Sequence, residues 1–563
     1  MAAWCLLPHD GFFINDSGCK LVQVEGMIRN GYADISVPWP GREFDHDLQF
    51  RPIVEPFAKV IDGRLFIYFP IPFAFLSSLP YRLMGPPGLL VLPFLAGLLL
   101  LPAIGALSDL LQGGPWGRVL AVPAVALGTP IWFYSMTFWE HMPAVCLATW
   151  GLVFLLRYLS SGAKRSAAIG AILFGLAIYL RDDLALFALA LPVLPLICGR
   201  RSLRDPMLIM GWFAATLVPL LALQWAILGT PLGIHGAAHN PFEQGLAGYL
   251  ADRWPVFRAL VMDGHEQAWL SVVMAFPYVG LLAVHPRVNR SLWMRLVPTL
   301  LIWGAGWGCV ALVGHLTSDA PLWYLLSANG LFAVSPFLIL SCLRESGEEV
   351  GGAPGAALSG SRVRVALWCI VVVYLVGYVV VVPLRHVRGI HWGSRLLLPL
   401  FPLLGVLAAS TAGRFIERML APAGWGGTTG TGRLVRGAGV ALILAVLAVS
   451  VAFQVYSLRL LGAREAFSVR LNQAVAARPE SVVVATQWSV PQEIAHVFYT
   501  KSIFLARSPW EFDRLLALLR TNGVRRILRI DASRGTSPPS PDGLVLSDGL
   551  NFMSYRLSAQ DLF

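Results

Sequence analysis

Four short clusters carry the residue types that acid–base work or anion binding would need. The first runs Asn15-Asp16-Ser17-Gly18-Cys19-Lys20. A carboxylate there can take the proton of an attacking hydroxyl, although the same residue types also make an ordinary turn or helix cap. The second is Trp139-Glu140-His141-Met142-Pro143. An acid and an imidazole in so short a connection, packed against apolar segments, are harder to read as solvated decoration than as part of a site. The alternative is an interfacial turn with an aromatic anchor. The third is Arg181-Asp182-Asp183, which reads either as a site or as a self-paired surface ion pair that contributes little. The fourth joins Arg385-His386-Val387-Arg388 to His391-Trp392-Gly393-Ser394-Arg395. Its guanidinium groups match phosphate oxygens in a planar fork. Lipid headgroups or nearby carboxylates are the competing partners.

Those clusters need elements to hold them, and the elements are apolar. Of 563 residues, 56% are hydrophobic and 13% charged, and the mean hydropathy is +0.65, which selects an integral membrane protein over a soluble one. A helix needs about 20 apolar residues to cross the hydrocarbon core. Twelve segments are candidate spans: 86–111, 117–138, 142–159, 166–180, 183–198, 206–228, 268–285, 295–314, 322–343, 365–383, 396–412 and 437–457. The loops after the odd-numbered spans all carry Lys or Arg, so the positive-inside rule makes them cytoplasmic. Residues 1–85, the four clusters and the chain after 457 then face the other side. The division expected is 1–85 as a first extracytoplasmic loop with a membrane-hugging segment, 86–457 as the transmembrane part, and 458–563 as an extracytoplasmic α/β domain. The fold class expected is therefore an all-α polytopic membrane protein with a small C-terminal α/β domain. A chain that starts outside calls for an upstream helix, and Met1 to Asp10 is too short and polar to be one. A thirteenth, preceding span is expected on that ground.

The tail shows its own elements. SVVVAT and VRRILRI read as buried strands. Between them Ser508 caps a helix with Pro509 at its first position and Glu511 three residues on, and Gly523 ends it. In the first loop, Asp62-Gly63 reads as a turn before a short strand, and Lys59, Arg64 and Tyr68 stand within reach of a headgroup. The second outside loop, 229–267, carries His235, His239, Glu243, Asp252, Trp254, Arg258, Asp263 and His265 and an amphipathic stretch suited to the membrane surface.

Several classes are excluded or disfavoured. The net charge of +11 comes from arginines spread over short loops, not from one patch with interleaved aromatics, so no nucleic-acid partner is expected. Lysine is scarce, four against 39 arginines, a bias suggesting a GC-rich bacterial genome. The seven cysteines form no metal or disulfide framework, though Cys5 and Cys19 lie on the same side. Asp45-His46-Asp47 has metal-ligand types, yet a lone DxD is weak, and no metal or other cofactor is favoured. No Asp, Glu, Lys or Arg sits near the centre of a span, where transporters place coupling charges. Chemistry at the outer interface is thus favoured over passage through the bilayer.

The clusters, taken in serial order, resemble the polytopic glycosyltransferases of the GT-C fold, which include the protein O-mannosyltransferases and lipid A aminoarabinose transferases. Asp16 matches that family's acid in the first outside loop. Gly63, Tyr68 and Pro70 match a G-x-x-x-x-Y-x-P approach to the next helix. Glu140-His141-Met142-Pro143 is similar to a later Asp-Met-Pro, with either Glu140 or His141 in the acid's place. Gly175-Leu176-Ala177 with Arg181, and Arg395, Leu397, Pro399 and Pro402, match two further segments. The resemblance implies inverting transfer of a sugar from a polyprenyl-phosphate donor to a hydroxyl of a lipid, glycan or protein acceptor, at the outer face of a bacterial plasma membrane. It implies Asp16 and Glu140 as catalytic residues. Lys20, Tyr68, His141, Arg181, Arg385, Arg388, His391 and Arg395 would bind substrate, with no metal required. A flippase of lipid-linked saccharides and a non-catalytic scaffold are the alternatives.

Overall fold

The computed structural model describes residues 7–200, 202–229, 245–262, 330–332, 334–343, 358–387, 391–420, 430–534, 544–547 and 553–562. Helix α1 (Asn15–Arg29) lies within the segment expected to be loop, and most of it is buried. A hairpin follows, β1 (Ala58–Ile61) against β2 (Arg64–Ile67). Its two-residue turn puts both Asp62 (φ 48°) and Gly63 (φ 69°) in the left-handed region, as a hairpin of right-handed twist requires. Helix α2 (Ile71–Met84) then leaves Phe75, Leu76, Leu79 and Leu83 exposed, as a helix lying against lipid would.

The helical body comprises α3 (Val91–Leu110), α4 (Gly114–Ala126), α5 (Ile131–Ser135), α6 (His141–Ser161), α7 (Lys164–Leu180), α8 (Arg204–Leu228), α9 (Gly245–Phe257), α10 (Gly360–Val381), α11 (Leu400–Leu420) and α12 (Gly430–Ala476). Among the described residues six helices are long and apolar enough to cross a membrane: Pro86–Leu110, His141–Ser161, Arg204–Leu228, Gly360–Val381, Leu400–Glu417 and Gly439–Ala476. Helix α6 packs between α3 and α7, α8 lies outside α7, and α4 packs on α11.

Two expected spans take another form. The segment 117–138 breaks between α4 and α5, where Gly128-Thr129-Pro130 interrupts it and the Thr129 hydroxyl donates to the Val125 carbonyl at 2.6 Å. The segment 183–198 folds as short turns around Pro192 and Pro195, because proline cannot continue a helix's hydrogen-bond ladder. The expected spans 268–285 and 295–314, and the first part of 322–343, lie outside the described residues; the described part of that last span carries a short 3-10 helix, Pro336–Cys342. So do His235, His239, Glu243, Asp263 and His265 in the second loop.

Helix α12 does not stop where its apolar run does. It continues through the expected boundary at 458 and ends at Ala476. Beyond it, β3 (Val482–Ala485), β4 (Ser502–Leu505), α13 (Pro509–Thr521), β5 (Arg526–Arg534), β6 (Leu544–Ser547) and β7 (Met553–Asp561) make a five-stranded sheet of order β4-β3-β5-β7-β6. Strand β3 runs parallel to β4 and β5, and β7 antiparallel to β5 and β6. The cap read from the sequence is present. Ser508 accepts from the Glu511 backbone N–H at 3.1 Å, Glu511 accepts from that of Arg507 at 2.6 Å, and Gly523 follows at φ 74°.

The first loop is sewn to this sheet. Leu505 donates its N–H to the Phe50 carbonyl at 3.0 Å, and the Trp39 indole donates to Ile503 at 2.9 Å. Helix α1 crosses a helical turn of the tail, Val490–Glu493, so closely that a Cβ at Gly18 would overlap the carbonyl oxygen of Gln492.

Candidate functional site

Helix α1 presents Asp16 and Lys20 one turn apart, on the same face. The connection before α6 presents Trp139 and Glu140, with His141 opening the helix. Arg181 ends α7, and Arg395 opens a short turn, Arg395–Leu397, before α11. Four stretches far apart in sequence thereby bring their charges to one place.

Trp139 is at the centre. Its ring stacks on Tyr134 (5.4 Å between centroids) and on His141 (4.9 Å). The Arg395 guanidinium lies 5.4 Å from its centroid and the Lys20 ammonium 5.5 Å. Hydrogen bonds fix the surroundings. Ser17 donates to the Phe138 carbonyl at 3.1 Å, and Tyr134 to the Trp392 carbonyl at 2.9 Å. The Trp392 indole donates to Gln454 of α12 at 3.0 Å.

Lys20 and Glu140 form a buried ion pair at 2.7 Å, their side chains 1% and 8% exposed. Arg181 stands 3.9 Å from the other Glu140 oxygen and also meets His141 Nε2. Burial works to raise the Glu140 carboxyl, but Lys20 and Arg181 outweigh it and hold the group below its ordinary value. Burial lowers the Lys20 ammonium more than Glu140 and Asp16 raise it. Glu140 is thus an ionised counter-charge locked between two cations.

Arg181 is committed as well. Its fork grips Asp183 through two nitrogens, and Asp183 accepts from Tyr378 at 2.7 Å. Asp16 and Arg395 are looser. They pair at 3.4 Å, with side chains 17% and 16% exposed. Two buried ring nitrogens, Trp139 Nε1 and His141 Nδ1, have no hydrogen-bond partner among the described residues, the nearest carboxylate oxygen to the latter being Glu140 at 3.7 Å.

The remaining expected residues are distributed as follows. His391 is turned to the backbone, its Nδ1 2.6 Å from the Gly393 carbonyl, and burial with Arg395 pushes it down to about 4. Tyr68 stands away from the cluster. Burial and Glu55 push its phenol up to about 12, and its neighbour Phe69 is the ring that meets Lys20, at 4.3 Å. Arg385 sits in a short helical turn, Leu384–Val387, and Arg388 lies outside the described residues. Asp45 accepts from the Phe50 backbone N–H at 2.6 Å and closes a turn. Among the described residues no three His, Cys, Asp or Glu side chains gather as a metal site would require. Cys19 is a free, buried thiol, and Cys5 lies outside the described residues.

Sequence reasoning missed Trp139 as the hub, Phe69 as the ring against Lys20, and Tyr374 and Tyr378 as partners of Asp183. A signal existed for the tyrosines alone: polar-tipped aromatics one helical turn apart near the end of an apolar span.

No protein-family profile matches the chain, and no curated protein matches it either. Solved structures do. One is ArnT from Cupriavidus metallidurans bound to undecaprenyl phosphate, at 13% identity, covering 99% of this chain and 96% of that one, with a TM-score of 0.49. The apo state of the same protein gives 14% identity, the same coverage and a TM-score of 0.48. The archaeal oligosaccharyltransferase AglB from Archaeoglobus fulgidus, in complex with an inhibitory peptide and a dolichol-phosphate, gives 11% identity, 92% and 66% coverage, and a TM-score of 0.47.

Proposed function

We propose that this chain is a GT-C-type membrane glycosyltransferase that moves a sugar from a polyprenyl-phosphate donor to an acceptor hydroxyl at the extracytoplasmic face. The observation that carries the reading is the loose Asp16–Arg395 pair set against a rigid charged frame. Lys20, Glu140, Arg181 and Asp183 are ion-paired with one another in the buried interior. Asp16 and Arg395, held at 3.4 Å and partly exposed, are free to change partner.

In this mechanism the donor's phosphate takes the Arg395 fork, which suits its oxygens better than a single carboxylate contact does. Asp16, released, accepts the proton of the acceptor hydroxyl. The acceptor oxygen bonds to the sugar's anomeric carbon from the face opposite the phosphate, the carbon–phosphate-oxygen bond breaks, and the electron pair leaves with polyprenyl phosphate. Arg395 stabilises that departing charge. Trp139 Nε1 and His141 Nδ1, buried without a hydrogen-bond partner among the described residues, offer hydrogen bonds to the sugar or the acceptor. Glu140 keeps Lys20 and Arg181 in place instead of acting as a base.

The test compares wild type with Asp16→Asn for sugar loss from a panel of radiolabelled undecaprenyl-phosphate sugars in nanodiscs. A fall of about a hundredfold or more is expected, the usual scale of general-base catalysis. Equal turnover removes Asp16 from the mechanism. No turnover by wild type across the panel removes the transferase reading and leaves flipping to be measured.

A further inference from the structure

The tail sheet has a topological switch point. From β3 the chain passes to β4 on one side, and α13 then carries it back to β5 on the other. Open α/β sheets bind ligands in the crevice at the carboxyl ends of such strands. Here that end is formed by Thr486, Gln487 and Trp488 after β3 and by Asp531 and Ala532 in β5.

Trp488 is 47% exposed, a costly place for so large an apolar ring. One of its faces is fixed by stacking on Phe57 of the first loop, at 5.4 Å and 15° between planes. Its indole N–H donates to nothing among the described residues. The neighbours are polar and pre-set. Thr486 donates to Asp531 Oδ1 at 3.0 Å, Gln487 donates to the Ala532 carbonyl at 2.5 Å, and Arg529 Nε donates to that same Oδ1 at 3.1 Å while standing 3.0 Å from Oδ2. The Asp531 carboxylate is 34% exposed.

A flat aromatic face bordered by a carboxylate and an amide fits the apolar C–H face and the outward hydroxyls of a sugar ring. The side chains beside Trp488 in the sequence, Gln487 and Ser489, are polar. The rings also lead inward. Trp488 touches Phe57, Phe57 stands 6.4 Å from Phe69, and Phe69 lies 4.3 Å from the Lys20 ammonium in the charged cluster.

We propose that the switch point of the tail sheet, with Trp488 as its platform, is a docking site for a saccharide portion of the acceptor, and that it orients the acceptor toward the cluster around Asp16. This rests on the transferase reading for its purpose, and its test does not depend on turnover. The full chain in phosphatidylcholine nanodiscs is applied to an array of neutral, amino-substituted and acidic oligosaccharides, in wild-type and Asp16→Asn backgrounds. Binding to at least one class is expected. It weakens about fivefold to tenfold in Trp488→Ala and is largely kept in Trp488→Phe, where an aromatic face remains. In parallel, the fluorescence that Trp488→Phe removes is examined in brominated-lipid nanodiscs, where no quenching is expected. Absence of binding across the array, binding indifferent to Trp488→Ala, or quenching by brominated lipid overturns the proposal, the last in favour of a membrane anchor. If Asp16→Asn leaves turnover intact while saccharide binding behaves as expected, the mechanism falls and the docking site stands.

Discussion

Replacing Lys20 with methionine strips the charge from a buried pair while keeping most of the stem. At 2.7 Å and an effective dielectric near 20, the Lys20–Glu140 attraction is on the order of 6 kcal/mol before desolvation is counted. The loss is smaller than that figure, because Arg181 remains 3.9 Å from Glu140 and shares the charge. Breaking a buried pair from one side costs about 3–5 kcal/mol. With Arg181 as partial compensation, about 3 kcal/mol is expected for Lys20→Met. The double variant Lys20→Met/Glu140→Leu removes both charges and leaves Arg181 gripping Asp183, so it should recover most of the loss, to within about 1 kcal/mol of wild type. The assay is unfolding titrated with SDS in mixed micelles, read by near-ultraviolet circular dichroism. Acidity supplies a control. Glu140 sits below its ordinary value of 4.5 in the folded protein, so its contribution is present above that pH and is lost as pH falls through the folded value. The gap between wild type and Lys20→Met should therefore narrow in acid. A double variant as unstable as the single one would refute the reasoning, for then the lost lysine stem, not an orphaned carboxylate, would set the cost.

Three further outcomes are expected. Arg395→Lys keeps the charge and loses the fork, so the donor KM should rise about tenfold with a smaller change in kcat; steady-state kinetics with an unchanged KM would place the phosphate elsewhere. His496 stacks on Phe12 at 5.0 Å, and burial, against the pull of Asp10, pushes it down to about 4 from 6.5. The unfolded chain therefore takes up that proton first, and stability is lost as pH falls between those values. His496→Phe should lose about 2 kcal/mol less than wild type between pH 7 and pH 5 in the same SDS titration, and an equal loss would show that the imidazole is not the sensor. Gly18→Ala puts a methyl onto the Gln492 carbonyl and should abolish the monodisperse peak in detergent size-exclusion chromatography, whereas Gly105→Ala in α3, with open space around it and an ordinary helical backbone, should keep that peak.

The parts of the site were legible in the sequence because unusual residue types stood beside apolar runs. Asp16, Glu140, Arg181 and Arg395 were each visible for that reason. Their pairing was not. Asp16 meets Arg395 across 379 positions, and only the packing of helices decides which charge faces which. Helix α1 was hidden because Asn15, Asp16, Ser17, Lys20 and Gln23 give it no apolar stripe. Its Leu21, Val22, Val24 and Met27 pack into the core, and its polar residues are buried by contacts with other elements, as when Gln23 donates to the Phe69 carbonyl at 3.0 Å. The tail's first strands and its capped helix were legible because caps and short β-branched runs are local signals. The far end of α12 was not, since Arg464, Ser468 and Asn472 read as surface and are buried against the tail.

At 47 residues, α12 is roughly 70 Å long, more than twice the hydrocarbon thickness of a membrane, and no flexible joint separates its membrane part from its tail part. It acts as a drive shaft whose rotational phase is set by residue count. One residue added between the membrane and Arg464 would swing the tail by about 100° and lift it by about 1.5 Å. Such a turn would pull the Val490–Glu493 segment off α1 and carry Trp488 away from Phe57, so the length of this helix is itself a coordinate of the site.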